Sequence, residues 1–240
     1  MPPSLLAEKN RLLCELPLHE QQRLLLKCEI VATSLGEVLV EAYQPIRYIY
    51  FPLSGFISLI YYSNGRRSIE LGLVGCEGML GATVMLGVNI APASAVVKTG
   101  GEALCISVRQ LQQLTLTCPK LRNMINRYLY VLLTQLMQNA ACGHYHEVEQ
   151  RLARWLLMAH DRVHCEPLRL THRDLAEMLG VRRSGISIAA GALQSRNLIQ
   201  YKRGLITILN RPDLEKVACE CYSLLQTEYE RQFPRTGRVL

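Results

Sequence analysis

The chain changes its hydrophobic period twice along its length. Residues 4–33 carry leucines spaced for short helices: Leu5, Leu6, Leu12, Leu13 and Leu16, then Leu24, Leu25 and Leu26 after Pro17. From Ile30 the texture becomes that of a sheet. Residues 37–40, 46–51, 55–62, 67–73, 93–98 and 103–108 are short runs rich in β-branched or aromatic side chains, separated by Gly, Pro and Asn. Asn64-Gly65, between two of these runs, is a strong hairpin signal. Several short strands at even spacing predict a β-sandwich or jelly roll, with residues 79–86 as a short helix inside it.

At Pro119 the period turns helical. Leu121, Ile125, Leu129, Leu132, Leu136 and Ala140 recur every three or four residues. Tyr128, Val131, Leu133 and Met137 lie off that stripe and are apolar too. A band this wide exceeds what one packed neighbour covers, which predicts one face for the sandwich and another for a partner subunit. Cys142-Gly143 reads as a break, and residues 147–163 resume the helix with Val148, Leu152, Trp155, Leu156 and Ala159 on one face.

Residues 170–196 spell two short helices and a tight turn. Thr171 is a good N-cap with Asp174 three residues on, in the manner of a capping box. Gly180 stands where a left-handed residue closes a helix. Ile186, Ala189, Ala190 and Leu193 then repeat at helical spacing, and small residues such as Ala176, Gly185, Ala189 and Ala190 let two helices cross closely. This is the pattern of a helix-turn-helix, whose second helix is shaped for a DNA major groove. Residues 198–201 and 205–209, joined through Lys202-Arg203-Gly204, predict a two-stranded wing with a basic tip, and residues 211–229 a last helix.

The charge supports that reading by its placement. Of a net +7, residues 151–211 hold eleven Lys/Arg against four Asp/Glu, whereas residues 1–150 hold twelve against eleven. The cationic excess therefore sits with the helix-turn-helix, where phosphate neutralisation needs it. Nine irregularly spaced cysteines are not a disulfide framework, no apolar stretch approaches the ~20 residues of a membrane span, and no leader pattern is visible. These point to a cytoplasmic protein with reduced thiols and no membrane partner.

The run THRDLAEMLGVRRSGIS, with RNLI and RGLITILNRPDLE after it, resembles the Crp/Fnr (cyclic-AMP-receptor/fumarate-nitrate-reductase) superfamily of transcription regulators. EVEQRLARWLLMAHDR and YIYFPLSGFISLIYYSNGRRSIELGLVGCEGMLG extend the resemblance over about residues 12–220. It implies an α+β architecture: a cyclic-nucleotide-binding-like domain over residues 1–118, a dimerisation helix and hinge over 119–146, a winged helix over 147–217, and a C-terminal helix and tail over 218–240. It further implies a homodimer on a two-fold symmetric double-stranded DNA site, with RNA polymerase as a further partner. The other reading is a small-molecule or redox sensor whose C-terminal domain docks protein rather than DNA.

The departures from the family are specific. Nucleotide-binding members hold the phosphate on a glycine-acid turn and a later Arg. Here Gly75-Cys76-Glu77-Gly78 stands at the turn, but residues 90–95 contain no Arg, so no cyclic nucleotide and no other cofactor is expected. Cys14 and Cys28 are too few and too far apart for the family's iron–sulfur ligation. Along the second helix Arg183 matches the family's first Arg, Ser184 replaces a Glu, and Ile188 replaces a second Arg. Arg183 is the candidate guanine contact, Ser184 and Ser187 reach base or phosphate, and Ile188 either touches a thymine methyl or is buried. Thr171, His172, Arg173, Arg182, Lys202 and Arg203 are candidate phosphate contacts. Ser184 looks locally like the N-cap, whereas the resemblance starts the helix near Arg182.

No catalytic set is present, and no enzyme is expected. Glu77 and Cys76 are the weak effector-site candidates, with the Arg66-Arg67 pair on a hairpin tip. Cys142, His144 and His146, and separately His160, His164 and Cys165, match no recognised zinc spacing, so no metal site is assigned. Cys219-Glu220-Cys221 is a candidate redox pair, and Cys76 the thiol to test first.

Overall fold

The computed structural model describes residues 6–63, 67–163 and 167–234. The Asn64-Gly65 turn, Arg66, His164 and Cys165 lie outside the described residues, as does the Arg67 side chain. Two short helices, α1 (Arg11–Cys14) and α2 (Leu18–Leu25), lead into seven strands: β1 (Glu29–Thr33), β2 (Val38–Val40), β3 (Tyr48–Pro52), β4 (Phe56–Ser63), β5 (Arg67–Val74), β6 (Ser94–Thr99) and β7 (Gly101–Ser107). They form two antiparallel sheets, ordered β1-β7-β3 and β2-β6-β4-β5. Alternation over the first four residues of β3 puts Ile49 and Phe51 wholly inside. Ile57, Val74, Leu80, Ala95 and Val97 fill a second apolar patch of the sandwich. β1 is a strand that the expected runs, which begin at residue 37, left out, although the sheet-like texture was placed from Ile30: Ile30 and Val31 pair with Leu104 and Ala103. The expected helix near Met79 is a 3₁₀ turn, Ala82–Leu86, between two left-handed glycines.

A helix the pattern did not reveal, α3 (Val108–Thr117), follows β7 and is opened by a Ser107–Gln110 capping box. The stalk α4 (Pro119–Tyr145) then begins with Pro at its first position. The buried Glu20 carboxylate caps it, accepting from the backbone N–H of Lys120 (3.2 Å) and Leu121 (2.7 Å). Cys142-Gly143 is not a break: α4 runs through it, and the chain turns only at His146, where ψ becomes extended. Leu121, Ile125, Tyr128, Val131 and Leu132 are buried, while Tyr130, Leu133 and Met137 are exposed.

The stalk is fastened at a bulge in β5. Pairing slips between Leu59/Gly72 and Ile60/Glu70, which leaves Leu71 unmatched. The freed Leu71 carbonyl accepts from Asn139 Nδ2 at 2.5 Å, and the Leu73 N–H donates to Gln135 Oε1 at 2.8 Å. A Cβ at Gly72 would meet Gln135 Oε1 at 2.6 Å, so a larger residue there would displace Gln135 from this close approach.

The C-terminal module comprises α5 (Val148–Val163), β8 (Leu168–Arg169), α6 (His172–Leu179), α7 (Arg183–Ser195), β9 (Ile199–Lys202), β10 (Leu205–Ile208), α8 (Arg211–Val217) and α9 (Cys221–Gln232). Its sheet has the order β8-β10-β9. The single helix expected over residues 211–229 is two, separated where Ala218 adopts an extended ψ of 147°. α9 folds back onto α4: Arg127 lies over the Phe233 ring, and Arg11 donates to the Phe233 carbonyl at 2.7 Å. No helix is long and apolar enough to cross a membrane among the described residues.

Candidate nucleic-acid interface

Local sequence sets the two helices of the motif. The Thr171 hydroxyl accepts from the Asp174 N–H, and Asp174 Oδ2 accepts from the Thr171 N–H at 2.8 Å, a complete capping box. Gly180, at φ 64°, closes α6 and leaves its α-carbon near Ile69 of β5. Leu175, Ala176 and Leu179 on α6 pack with Ile186, Ala189, Ala190 and Leu193 on α7. α7 starts at Arg183 with Arg182 as its N-cap, as the resemblance implied and the local reading of Ser184 did not.

The outer face of α7 presents Arg183, Ser184, Ser187 and Ile188. Ile188 is 75% exposed, which rules out the buried alternative. Ser187 Oγ donates to the Arg183 carbonyl at 3.1 Å and also meets His172 Nδ1 at 3.0 Å. His172 differs in kind from the other phosphate candidates. Its ring stacks on Tyr201 with centroids 4.2 Å apart, tying α6 to the wing. Burial and the neighbouring Arg183 charge lower its pKa, so it is a neutral strut rather than a cation. Arg173 is exposed and pairs with Glu177 one turn on.

The wing is a two-residue hairpin. Lys202 pairs with Leu205, and the intervening Arg203 and Gly204 have φ of 52° and 78°, the type I′ signature. Arg203 holds a left-handed conformation that Asn or Gly adopts more easily, and it projects its charge at the tip beside exposed Lys202. Arg182 is exposed as well. Arg182, Arg183, Ser184, Ser187, Ile188, Lys202 and Arg203 thus remain solvent-facing, although a cleft of about 770 Å³ separates the first turn of α7 from Tyr61, Ser63, Ser68 and Ile69 of the sandwich.

The two weak effector candidates lie elsewhere. Glu77 Oε1 accepts from Arg162 Nε at 2.9 Å and Nη2 at 2.8 Å, and Arg162, on α5, is itself buried. Arg162 Nη1 donates to the Met158 carbonyl at 2.6 Å. Cys76 is buried against the Arg162 backbone, and burial pushes its thiol up to about 11, which removes it as a reactive thiolate. The turn glycines face protein: a Cβ on Gly75 would strike Arg162, and one on Gly78 the Tyr128 ring. The turn that the resemblance assigns to a phosphate is therefore backed by α4 and α5. Sequence reasoning missed these clamps because both partners are far apart in the chain. The one visible signal was an Arg on the inner side of an amphipathic helix.

The comparisons agree with this geometry. A Crp-like helix-turn-helix domain model matches residues 150–217, and a cyclic nucleotide-binding domain model matches residues 31–118. Together they span well over half of the chain. The chain belongs to the Crp/Fnr superfamily. No curated protein matches it in sequence. Among solved structures, FixK2 from Bradyrhizobium japonicum is similar at 14% identity and TM-score 0.67, over 80% of this chain and 98% of that one. The c-di-GMP-responsive regulator CLP of Xanthomonas campestris is similar at 20% identity and TM-score 0.66, over 80% and 99%. A Crp/Fnr-family regulator from Eubacterium rectale matches at 17% identity and TM-score 0.67, over 88% and 98%. These likenesses establish the fold, and the Crp-like domain makes this Crp/Fnr chain a transcription regulator with a DNA-binding helix-turn-helix.

Proposed function

We propose that the protein is a homodimeric regulator that binds a two-fold symmetric DNA site in the cytoplasm without gating by a cyclic nucleotide. One observation carries it: α7 offers Arg183, Ser184, Ser187 and Ile188 on one exposed face, flanked by the cationic wing tip. Arg183 is suited to a guanine and Ile188 to a thymine methyl, while Arg173, Arg182, Lys202 and Arg203 position the module on phosphates. Thr171 acts through its cap, which sets the angle of α6.

The exposed line Tyr130, Leu133 and Met137, at helical spacing on α4, supports pairing of two stalks. The absence of nucleotide gating is supported by the Glu77–Arg162 pair and by the glycine turn pressed onto Tyr128 and Arg162. No guanidinium is available in residues 90–95 either. There the Ser94 hydroxyl donates to Glu41 at 3.1 Å and accepts from the Ala42 N–H at 3.0 Å. RNA polymerase is the partner expected of a promoter-bound regulator.

Selection from random duplexes tests the reading. The expected outcome is a palindromic site whose half-sites lie about one helical turn apart, with affinity falling steeply with salt and unchanged by cyclic AMP or c-di-GMP. Equal binding to all sequences, a flat salt dependence, or tightening by either nucleotide would overturn it.

A further inference from the structure

The last turn of the stalk and the approach to α9 bring four soft donors together. Cys142 lies in the last turn of α4 and His146, four residues on, is the C-cap of that helix, while Cys219 and Cys221 flank Glu220, the N-cap of α9. Their donor atoms all lie within 4.8 Å of one another. Cys142 Sγ is 3.5 Å from Cys219 Sγ, and Cys221 Sγ is 3.7 Å from His146 Nδ1. A sulfur–sulfur separation of 3.5 Å is far longer than the ~2.05 Å of a disulfide. It is close to the ~3.8 Å edge of a tetrahedron with ~2.3 Å zinc–sulfur bonds.

Two features outside the four donors match what such a centre requires. His146 Nε2 lies 3.0 Å from Glu220 Oε1, and the N–H donated there leaves the Nδ1 lone pair turned toward the sulfurs. This is the carboxylate–histidine arrangement that orients a metal-binding imidazole. Arg154, 7% exposed, directs its charge at Cys142, Cys219 and Cys221, and its Nε is buried without a hydrogen-bond partner. Three thiolates around a divalent ion carry one net negative charge, and a single buried guanidinium balances it.

We propose that Cys142, His146, Cys219 and Cys221 form a four-coordinate site for a thiophilic divalent cation, zinc in the first instance. Three Cys and one His without an open position make a structural donor set, not a catalytic one. The donors are too close together to surround a multi-iron cluster. The metal would join the end of the stalk to the C-terminal helix at the bend between α4 and α5. Metal supply would then bear on how the winged helix is held. The sequence hid the site because its halves are separated by 77 residues: Cys142 and His146 group there with His144, and Cys219 and Cys221 read as a separate redox pair.

Untagged full-length protein, purified under reducing conditions, should retain about one zinc per chain by elemental analysis. Replacing zinc with cobalt should give a thiolate-to-cobalt charge-transfer band and intense tetrahedral d–d absorption. C142S and C221S should each abolish that spectrum, while C14S, outside the cluster, should preserve it. E220Q should bind zinc ~10–100-fold more weakly, as loss of a carboxylate partner does. Circular dichroism on each variant separates metal loss from unfolding. Metal-free protein that gives no charge-transfer band with cobalt, a Cys142–Cys219 disulfide under reducing purification, or full zinc retention by a folded C142S/C221S double variant would overturn the proposal.

Discussion

Trp155 Nε1, on the first helix of the winged module, donates a 2.6 Å hydrogen bond to Glu70 Oε1 on β5 of the sandwich. Ser58 Oγ donates to the other oxygen of the same carboxylate at 2.5 Å. The chain's single tryptophan thus ends on an acid that belongs to a different domain, and its ring packs edge-on against Phe56 at 6.2 Å. The docking of the two domains therefore carries an ionisable group at its centre.

Burial raises the Glu70 pKa from 4.5 to about 7, against the opposing pull of its two donors. The unfolded chain loses this proton near 4.5 and the folded chain near 7, so folding takes up a proton between those values. Stability from this group is greatest below pH 4.5, falls as pH rises to 7, and stays at its reduced level above. The residue keeps some exposure through a small cavity of about 70 Å³ shared with Lys98 and Glu177, so the loss is set at roughly 1–2 kcal/mol. E70Q should gain thermal stability over the native protein progressively from pH 5 to pH 8. A difference in melting temperature that is constant with pH would contradict this.

Removing the acid opposite Arg162 should be costly. E77A strands a buried guanidinium, for which ~3–5 kcal/mol of destabilisation is expected by denaturant unfolding. E77Q should cost less, because the amide oxygen still accepts from Arg162. Equal and small effects in both would show that the pair contributes little.

Two arginines of the DNA face should fail differently. R183A should relax base preference at one position per half-site, at a cost of ~1–3 kcal/mol. R203N retains a residue at ease at φ 52°, so the wing should persist. Its affinity should fall evenly across sequences, with the salt slope lower by about one. Titrations of cognate and scrambled duplexes at several salt concentrations separate the two.

The stalk face can be tested without DNA. L133E/M137E places charges on two exposed apolar positions of α4. Light scattering should report a monomer of unchanged fold, and site affinity should drop with it. A dimer that survives would move the interface elsewhere.

Much of this was legible because its causes are local. The Thr171–Asp174 cap, the Gly180 stop and the Arg203-Gly204 hairpin are decided by neighbours two to four residues apart, and each stands where the sequence puts it. α4 outran its apparent end because Gly143 costs a long helix only about 1 kcal/mol, less than the tertiary packing around it supplies. β1 was hidden because half-exposed Ile30 and Val31 pair with a strand seventy residues away, which no local pattern encodes. The same blindness to distance made His172 look like a phosphate contact and Glu77 like an effector-site residue. Each is engaged by a residue that only the fold delivers: Tyr201 in one case, Arg162 in the other.

Because α4 continues unbroken past Gly143, it acts mechanically as a boom. From Tyr128, pressed by the Gly78 turn, to His146 is about 27 Å at 1.5 Å per residue. Gln135 and Asn139 tie that boom to the β5 bulge on the way, so a shift of that bulge would be carried along a rigid helix to the bend at His146. A change in the sandwich would thereby reach the winged module with no helix break within the stalk to absorb it.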